Sequence, residues 1–294
     1  MSVIDAIVAT SNHEAQLVMD RPIPVLRDDY ILVKTVFVSL NPTDWKHIVG
    51  LAPAGALIGC DYAGIVEEVG KNVKKQFRKG DRYIVAKGDI QTKIPDNLSF
   101  QEAATLGVGL TTVGQSLYQS LELAPPTEPI QDALVRSRGA DMVFDYNEHH
   151  SATKIRRYTQ NSLELALDTI AIEYTAQYCV DALSTEGGKY ITLNYVAIPQ
   201  SNIRDRWTLS YTAFGEKFIF GPTRFPAKPK DKEFMEQFWS IAERLVAEGK
   251  IKVHPLRLQL MRKGKVSGEK LVYNHRYMRR GRTLGFHAES GATQ

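Results

Sequence analysis

Through roughly the first 90 residues, apolar positions recur at every second residue or gather in short β-branched runs. The stretches IVAT, YILVKTVFVSL, CDYAGIVEEVG and DRYIVAK carry them between turn-forming residues and predict a β-rich region. From about residue 95 the period changes. DNLSFQEAATL opens with an Asn or Ser placed to cap a helix. Beyond it DMVFDY, a helix from the 150s, LELALDTI, EYTAQYCVDAL and GGKYITLNYV alternate strand-like and helix-like stretches. That alternation predicts a parallel α/β sheet. DKEFMEQFWSIAERLVAEG is the clearest helix, with Phe234, Phe238, Ile241 and Leu245 on one face and Gly249 placed to stop it. IKVHP and GKVSGEKLVY then return to a strand-like pattern. The chain therefore reads as an α/β protein in three parts: a β-rich domain over 1–90, an α/β domain over 91–250, and a return to the first domain with a basic tail over 251–294.

One helix start stands out. In LNPTDWKHI, residues 40–48, Asn41 is a good N-cap, Pro42 suits the first helical position, and Asp44 meets the positive helix end. Leu40 and Trp45 hold the two positions of a hydrophobic staple. Capping explains every one of these residues and leaves Lys46 unexplained.

Size and composition narrow the class. A chain of 294 residues, 43% of them hydrophobic, can bury a sizeable core and suits two domains. Two cysteines, Cys60 and Cys179, supply neither a disulfide framework nor a four-cysteine zinc site, and read as small apolar residues of a reducing compartment. No apolar run of about 18 residues could span a bilayer, and the first residues lack a signal-peptide pattern, so the expectation is a cytoplasmic protein. A net charge of +4 suits an anionic ligand without identifying one. The basic run HRYMRRGR lies in no nucleic-acid-binding module and reads as a solvated tail.

Several motifs, in order, resemble the medium-chain dehydrogenase/reductase superfamily, and within it the trans-acting enoyl reductases of fungal polyketide synthases. They are SLNPTDWKHI (39–48), IGCDYAGIVEEVG (58–70), KGDR (79–82), EAATLGVGLTTVGQSLY (102–118), GADMVFDY (139–146), ALDTI (166–170), GGKYITL (187–193) and GKVSGEKLVY (264–273). The resemblance implies a GroES-like domain beside a Rossmann-type domain. It also implies a monomer that reduces, with NADPH, the α,β-double bond of an acyl thioester on a polyketide synthase carrier protein. Quinone or alkenal reduction is the variant reading within the same superfamily. Zinc enzymes of the superfamily carry Cys-His-Thr-Asp and Gly-His-Glu where this chain has Asn41-Pro42-Thr43-Asp44 and Gly59-Cys60-Asp61, so no metal is expected.

Without zinc, a positioned cation must stabilise charge on the substrate carbonyl, and the resemblance gives that role to Lys46. It implies cofactor contacts from Thr43, Asp44, Trp45, Lys46, Tyr146, Leu193, Val266 and Ser267. It implies substrate contacts from Gly107, Thr111, Thr112, Gly114, Gly215 and Phe218. GVGLTTVG, at 107–114, imitates a phosphate loop, but it continues a helix and its glycine spacing is wrong.

A βαβ unit needs roughly 30 residues, and its first strand-to-helix turn carries the glycine fingerprint. Between Leu121 and Asp141 stands only ELAPPTEPIQDALVRSRGA, with no glycine-rich turn. The Rossmann-type domain is therefore expected to be incomplete. Weak cofactor binding follows, and with it the alternative of an inactive, synthase-binding relic.

Overall fold

The computed structural model describes residues 3–11, 13–84, 87–124, 134–135, 138–139, 141–251 and 272–274. In chain order the first elements are β1 (Val3–Ala9), β2 (Ala15–Pro22), β3 (Ile31–Ser39), α1 (Pro42–Lys46), β4 (Asp61–Val69), β5 (Arg82–Ile84), β6 (Thr92–Lys93), α2 (Phe100–Ala103) and α3 (Gly107–Val113). Then follow β7 (Leu134–Val135), β8 (Arg138–Gly139), α4 (Ser151–Tyr158), β9 (Leu165–Asp168), α5 (Glu173–Ala182), β10 (Gly188–Thr192) and β11 (Ile203–Trp207). The last are β12 (Phe218–Phe220), β13 (Thr223–Phe225), α6 (Pro229–Ala247) and β14 (Val272–Asn274).

Two compact units result, one from residues 1–110 and 214–294, the other from 111–213. The first boundary falls inside α3 and the second just before Phe214, rather than at residues 90 and 250. The reason is packing. The short helix α2, opened by the Ser99–Glu102 capping box, packs on β3, β4 and β5, and α6 packs on β6. Both helices cover the antiparallel sheet instead of the parallel one.

In the first unit the sheet order is β14-β3-β4-β5-β6, antiparallel throughout. Alternation puts Ile31 and Val66 inside, packed with Val33, Val69, Val73 and Phe77. Gly64 sits beside the register shift between β3 and β4, where a Cβ would lie 2.4 Å from the Lys34 carbonyl oxygen. Only glycine permits that approach. Helix α6 buries Met235, Phe238, Trp239, Ala242, Leu245 and Val246, a face rotated from the expected one, so that Phe234 and Ile241 lie at its edge. Gly249, at φ +68°, ends it as expected, its N–H donating to the Val246 carbonyl while Lys250 N–H donates to Leu245.

In the second unit β11-β10-β9 form a parallel three-stranded sheet. Helix α5 covers it through Ala176 and Val180, which cluster with Leu183, Tyr190 and Ile203. The segment DMVFDY, expected as a strand, is irregular, and its Met142 and Val143 are exposed. Among the described residues no strand pairs with the outer edge of β9. Its Leu165, Ala166 and Leu167 are only half-buried, while Tyr190 and Ile191 of the middle strand are fully buried. A strand needs a ladder partner, and DMVFDY finds none here. Among the described residues the sheet is a Rossmann-type core of three strands. IKVHP from residue 252 onward, the tail, Val266 and Ser267 lie outside the described residues.

Candidate active site

Residues 41–46 form one tight turn. Asn41 N–H donates to Asp44 Oδ2 at 2.7 Å, and Asp44 N–H donates back to the Asn41 carbonyl at 3.0 Å. Pro42 occupies the first turn, where its missing N–H costs nothing. Asp44 is buried, and that burial raises its pKa against the opposing pull of the Asn41 N–H and the Cys60 thiol. Among the described residues its Oδ1, together with Ser39 Oγ and Asn41 Nδ2, lacks a hydrogen-bond partner.

Lys46 ends α1, half-buried, and Thr43, Asp44 and Trp45 share its turn. Trp45 is 56% exposed, so it is not tucked into the staple that the sequence suggests. The chain runs on from Lys46 into a wider π turn over His47–Leu51. His47 Nδ1 lies 2.8 Å from the Thr43 carbonyl, which can only accept, so this nitrogen carries the proton. The ring meets Phe220 edge-on at 5.8 Å. His47 is thus a satisfied structural residue.

Asp61, 3% exposed at the start of β4, accepts the Val108 N–H at 2.7 Å. Its carboxylate therefore caps the positive end of α3. Cys60 and Cys179 are both half-buried rather than buried, and burial pushes the Cys179 thiol up to about 12. Among the described residues no group of three or more His, Cys, Asp or Glu side chains is placed to hold a metal.

The substrate candidates fall in two places. Gly107, Thr111 and Thr112 lie on α3, and Gly114 begins the π turn that follows it. Thr111 and Gly114 are buried, and Thr112 is half-buried with its carbonyl accepting Ser116 Oγ–H at 2.6 Å. GVGLTTVG is helical, as its sequence implies. Gly215, at φ +68°, would set a Cβ 2.8 Å from Lys232 Cβ, and Phe218 stacks on Phe225 at 4.9 Å.

In the second unit Tyr146 is exposed beside Tyr174 and Tyr178, with its carbonyl accepting the Tyr174 hydroxyl at 2.9 Å. Leu193 follows β10, its N–H donating to the Asp168 carbonyl. The turn from β9 into α5 is a strand-to-helix turn of the parallel sheet, the kind of turn that can cradle a pyrophosphate. It contains no glycine. The N–H groups of Ile170 and Ala171 already donate to Asp168 Oδ1, at 3.0 and 2.8 Å, while Thr175 and Tyr190 hydroxyls donate to Oδ2. An internal carboxylate occupies the donors that a pyrophosphate would need. The Ile170 and Ala171 N–H groups of this turn are therefore not available to the phosphates of a dinucleotide.

One cluster carries no sequence motif. Lys87 is 3% exposed, and its Nζ donates to Glu216 Oε1 at 2.6 Å and to the Phe214 carbonyl at 2.8 Å, with Asp29 at 3.4 Å. Arg27 donates to both Glu216 oxygens, at 2.6 and 3.1 Å, and stacks over the Tyr30 ring at 4.4 Å. Only the lysine ending the apolar run YIVAK hints at it in the sequence.

An antiparallel sheet followed in the chain by a parallel α/β unit is the plan of the medium-chain dehydrogenase/reductases. The Alcohol dehydrogenase GroES-like domain family matches residues 27–120. The chain is 51% identical to the trans-enoyl reductase TOXD of Cochliobolus carbonum, over 72% of this chain and 91% of that one. It is 37% identical to the trans-enoyl reductase resD of Aspergillus sclerotiorum, over 92% and 99%. The fold is similar to that of the CurK enoyl reductase, with a TM-score of 0.68 at 15% identity over 92% of this chain and 99% of that one. It also resembles a Pseudomonas syringae quinone oxidoreductase, with a TM-score of 0.67 at 17% identity over the same shares. The chain belongs to the medium-chain dehydrogenase/reductase superfamily of oxidoreductases, and within it to the family of the fungal trans-enoyl reductases. Its alignment with resD runs over 355 positions against 294 residues in the chain, so that relative carries residues with no counterpart here.

Proposed function

We propose that the chain is a trans-acting enoyl reductase, cytoplasmic and monomeric, that uses NADPH to reduce the α,β-double bond of a carrier-bound polyketide thioester for a partner synthase. The observation that carries this reading is Lys46 at the end of a turn fixed by the Asn41–Asp44 hydrogen bonds, in a chain half identical to a trans-enoyl reductase. Saturating the double bond at its β-carbon drives negative charge onto the thioester oxygen. The Lys46 ammonium, preorganised by its turn, stabilises that charge. Gly107, Thr111, Thr112, Gly114, Gly215 and Phe218 are assigned to the acyl chain. Thr43, Asp44, Trp45, Lys46, Tyr146, Leu193, Val266 and Ser267 are assigned to the cofactor. A second reading, a synthase-binding module without turnover, is supported by the occupied β9-to-α5 turn and the missing glycine loop.

Turnover of an α,β-unsaturated acyl pantetheine thioester, followed by NADPH consumption, separates the two. Lys46→Ala is expected to lower kcat by about 10²–10³-fold with the fold intact. A cooperatively folded wild type that consumes no NADPH would leave the second reading.

A further inference from the structure

We infer that the Lys87–Glu216 clasp is a positioning device for Lys46, acting through the hairpin β12–β13. This rests on the enoyl reductase reading, which gives Lys46 its role.

Three contacts in the first unit link the two places. At one end the clasp fixes the residues where the chain re-enters this unit. Lys87 holds both the Phe214 carbonyl and the Glu216 carboxylate, and Arg27 grips the same carboxylate with two hydrogen bonds. Tyr30 hydroxyl adds a longer bond at 3.3 Å. Gly215 between them stands at φ +68° against Lys232, so the segment has one tolerated path. Two residues past Glu216 the hairpin begins, held by the stacked Phe218 and Phe225. At the far end it docks on the turn that follows Lys46. Phe220 meets the His47 ring, and Gly221 N–H donates to the Leu51 carbonyl at 3.1 Å. His47 is the residue after Lys46, and its Nδ1–H is bound to Thr43 within the same turn.

A nearly buried lysine is costly unless its charge is matched and its protons are bound. A sheet that needed only stability could use an apolar residue at Lys87. What the ionic clasp adds is direction: bidentate and short bonds fix where Glu216 sits and therefore where the hairpin starts. Displacement of a catalytic group by about 1 Å lowers rates on the order of 10²-fold, so a slack hairpin is felt at Lys46.

The test uses the full chain and a readout independent of turnover. Ring-labelled histidine gives one NMR signal for each of the seven histidines, and His47→Gln identifies the signal of interest. Phe220→Ala defines its position without the docked ring. Glu216→Gln is expected to move the His47 signal most of the way to that position and to lower kcat about tenfold, with KM for the thioester nearly unchanged. Should Glu216→Gln fail to fold, Glu216→Asp keeps the charge beside Lys87 and shortens the reach, and is expected to move the signal part of the way. A His47 signal unmoved in a folded Glu216 variant overturns the clasp, whatever the turnover. A signal that moves in a wild type without turnover instead overturns the enoyl reductase reading and leaves the mechanical link standing.

Discussion

Glu216 shows how much one carboxylate holds in this molecule. Its pKa is lowered to about 2, first by the hydrogen bonds from Arg27 and then by those from Lys87, against the cost of burial. A carboxylate with a lowered folded value contributes stability above its unfolded value, near 4.5, and loses it as pH falls through the folded one. The window is therefore pH 4.5 down to 2. Acid unfolding followed by circular dichroism should steepen in that window for the wild type. Glu216→Gln should be less stable near neutral pH and flatter below pH 4.5, and an unchanged acid profile would contradict the clasp's electrostatics. Because the carboxylate is about a third exposed, solvent screening keeps the effect moderate. None of this was legible in the chain. Lys87 and Glu216 stand 129 positions apart, and no local rule pairs them. The Asn41–Asp44 turn was legible, because its bonds span three residues and capping chemistry is local.

Elements follow the same division between local and distant causes. The caps at Ser99 and Gly249 appear where the sequence puts them, since each is decided within one turn. DMVFDY has the composition of a strand and forms none, because a strand depends on a neighbour that the sequence cannot supply from nearby. Asp61 is a mixed case. Its place beside Cys60 reads from the sequence as part of a replaced metal motif, and only the fold shows it capping α3, 47 positions onward. Removing it strips the cap and leaves the Val108 N–H without this acceptor. Asp61→Ala is expected to cost about 1–2 kcal/mol in urea denaturation, and Asp61→Asn, which keeps an acceptor, about half of that or less. Equal losses for the two would mean that Asp61 acts through its charge on other partners and not as the cap.

For the whole molecule, the absent residues matter as much as those present. Among the described residues the antiparallel unit has a five-stranded sheet, a buried core and the lysine turn, whereas the parallel sheet of the second unit has three strands, and β9 pairs only with β10. The turn from β9 into α5 spends its Ile170 and Ala171 N–H groups on Asp168. A pyrophosphate held without such donors forfeits several charge-assisted bonds, each worth roughly 1.5–3 kcal/mol. Losing two of them weakens binding on the order of 10²-fold or more. Because a ligand that binds only the folded state stabilises it by the logarithm of one plus its concentration over Kd, the deficit is measurable as a thermal midpoint without turnover. Titrated with NADPH, this chain should show a rise only at concentrations about 10²-fold above those that a Rossmann domain with a free glycine-rich turn requires. A chimera that receives, between Leu121 and Asp141, a strand and a glycine-rich turn of the Rossmann type should gain affinity, since it supplies a turn with free N–H groups. If the chimera folds and the parent chain binds NADPH as tightly as it does, the cradle is dispensable to cofactor binding.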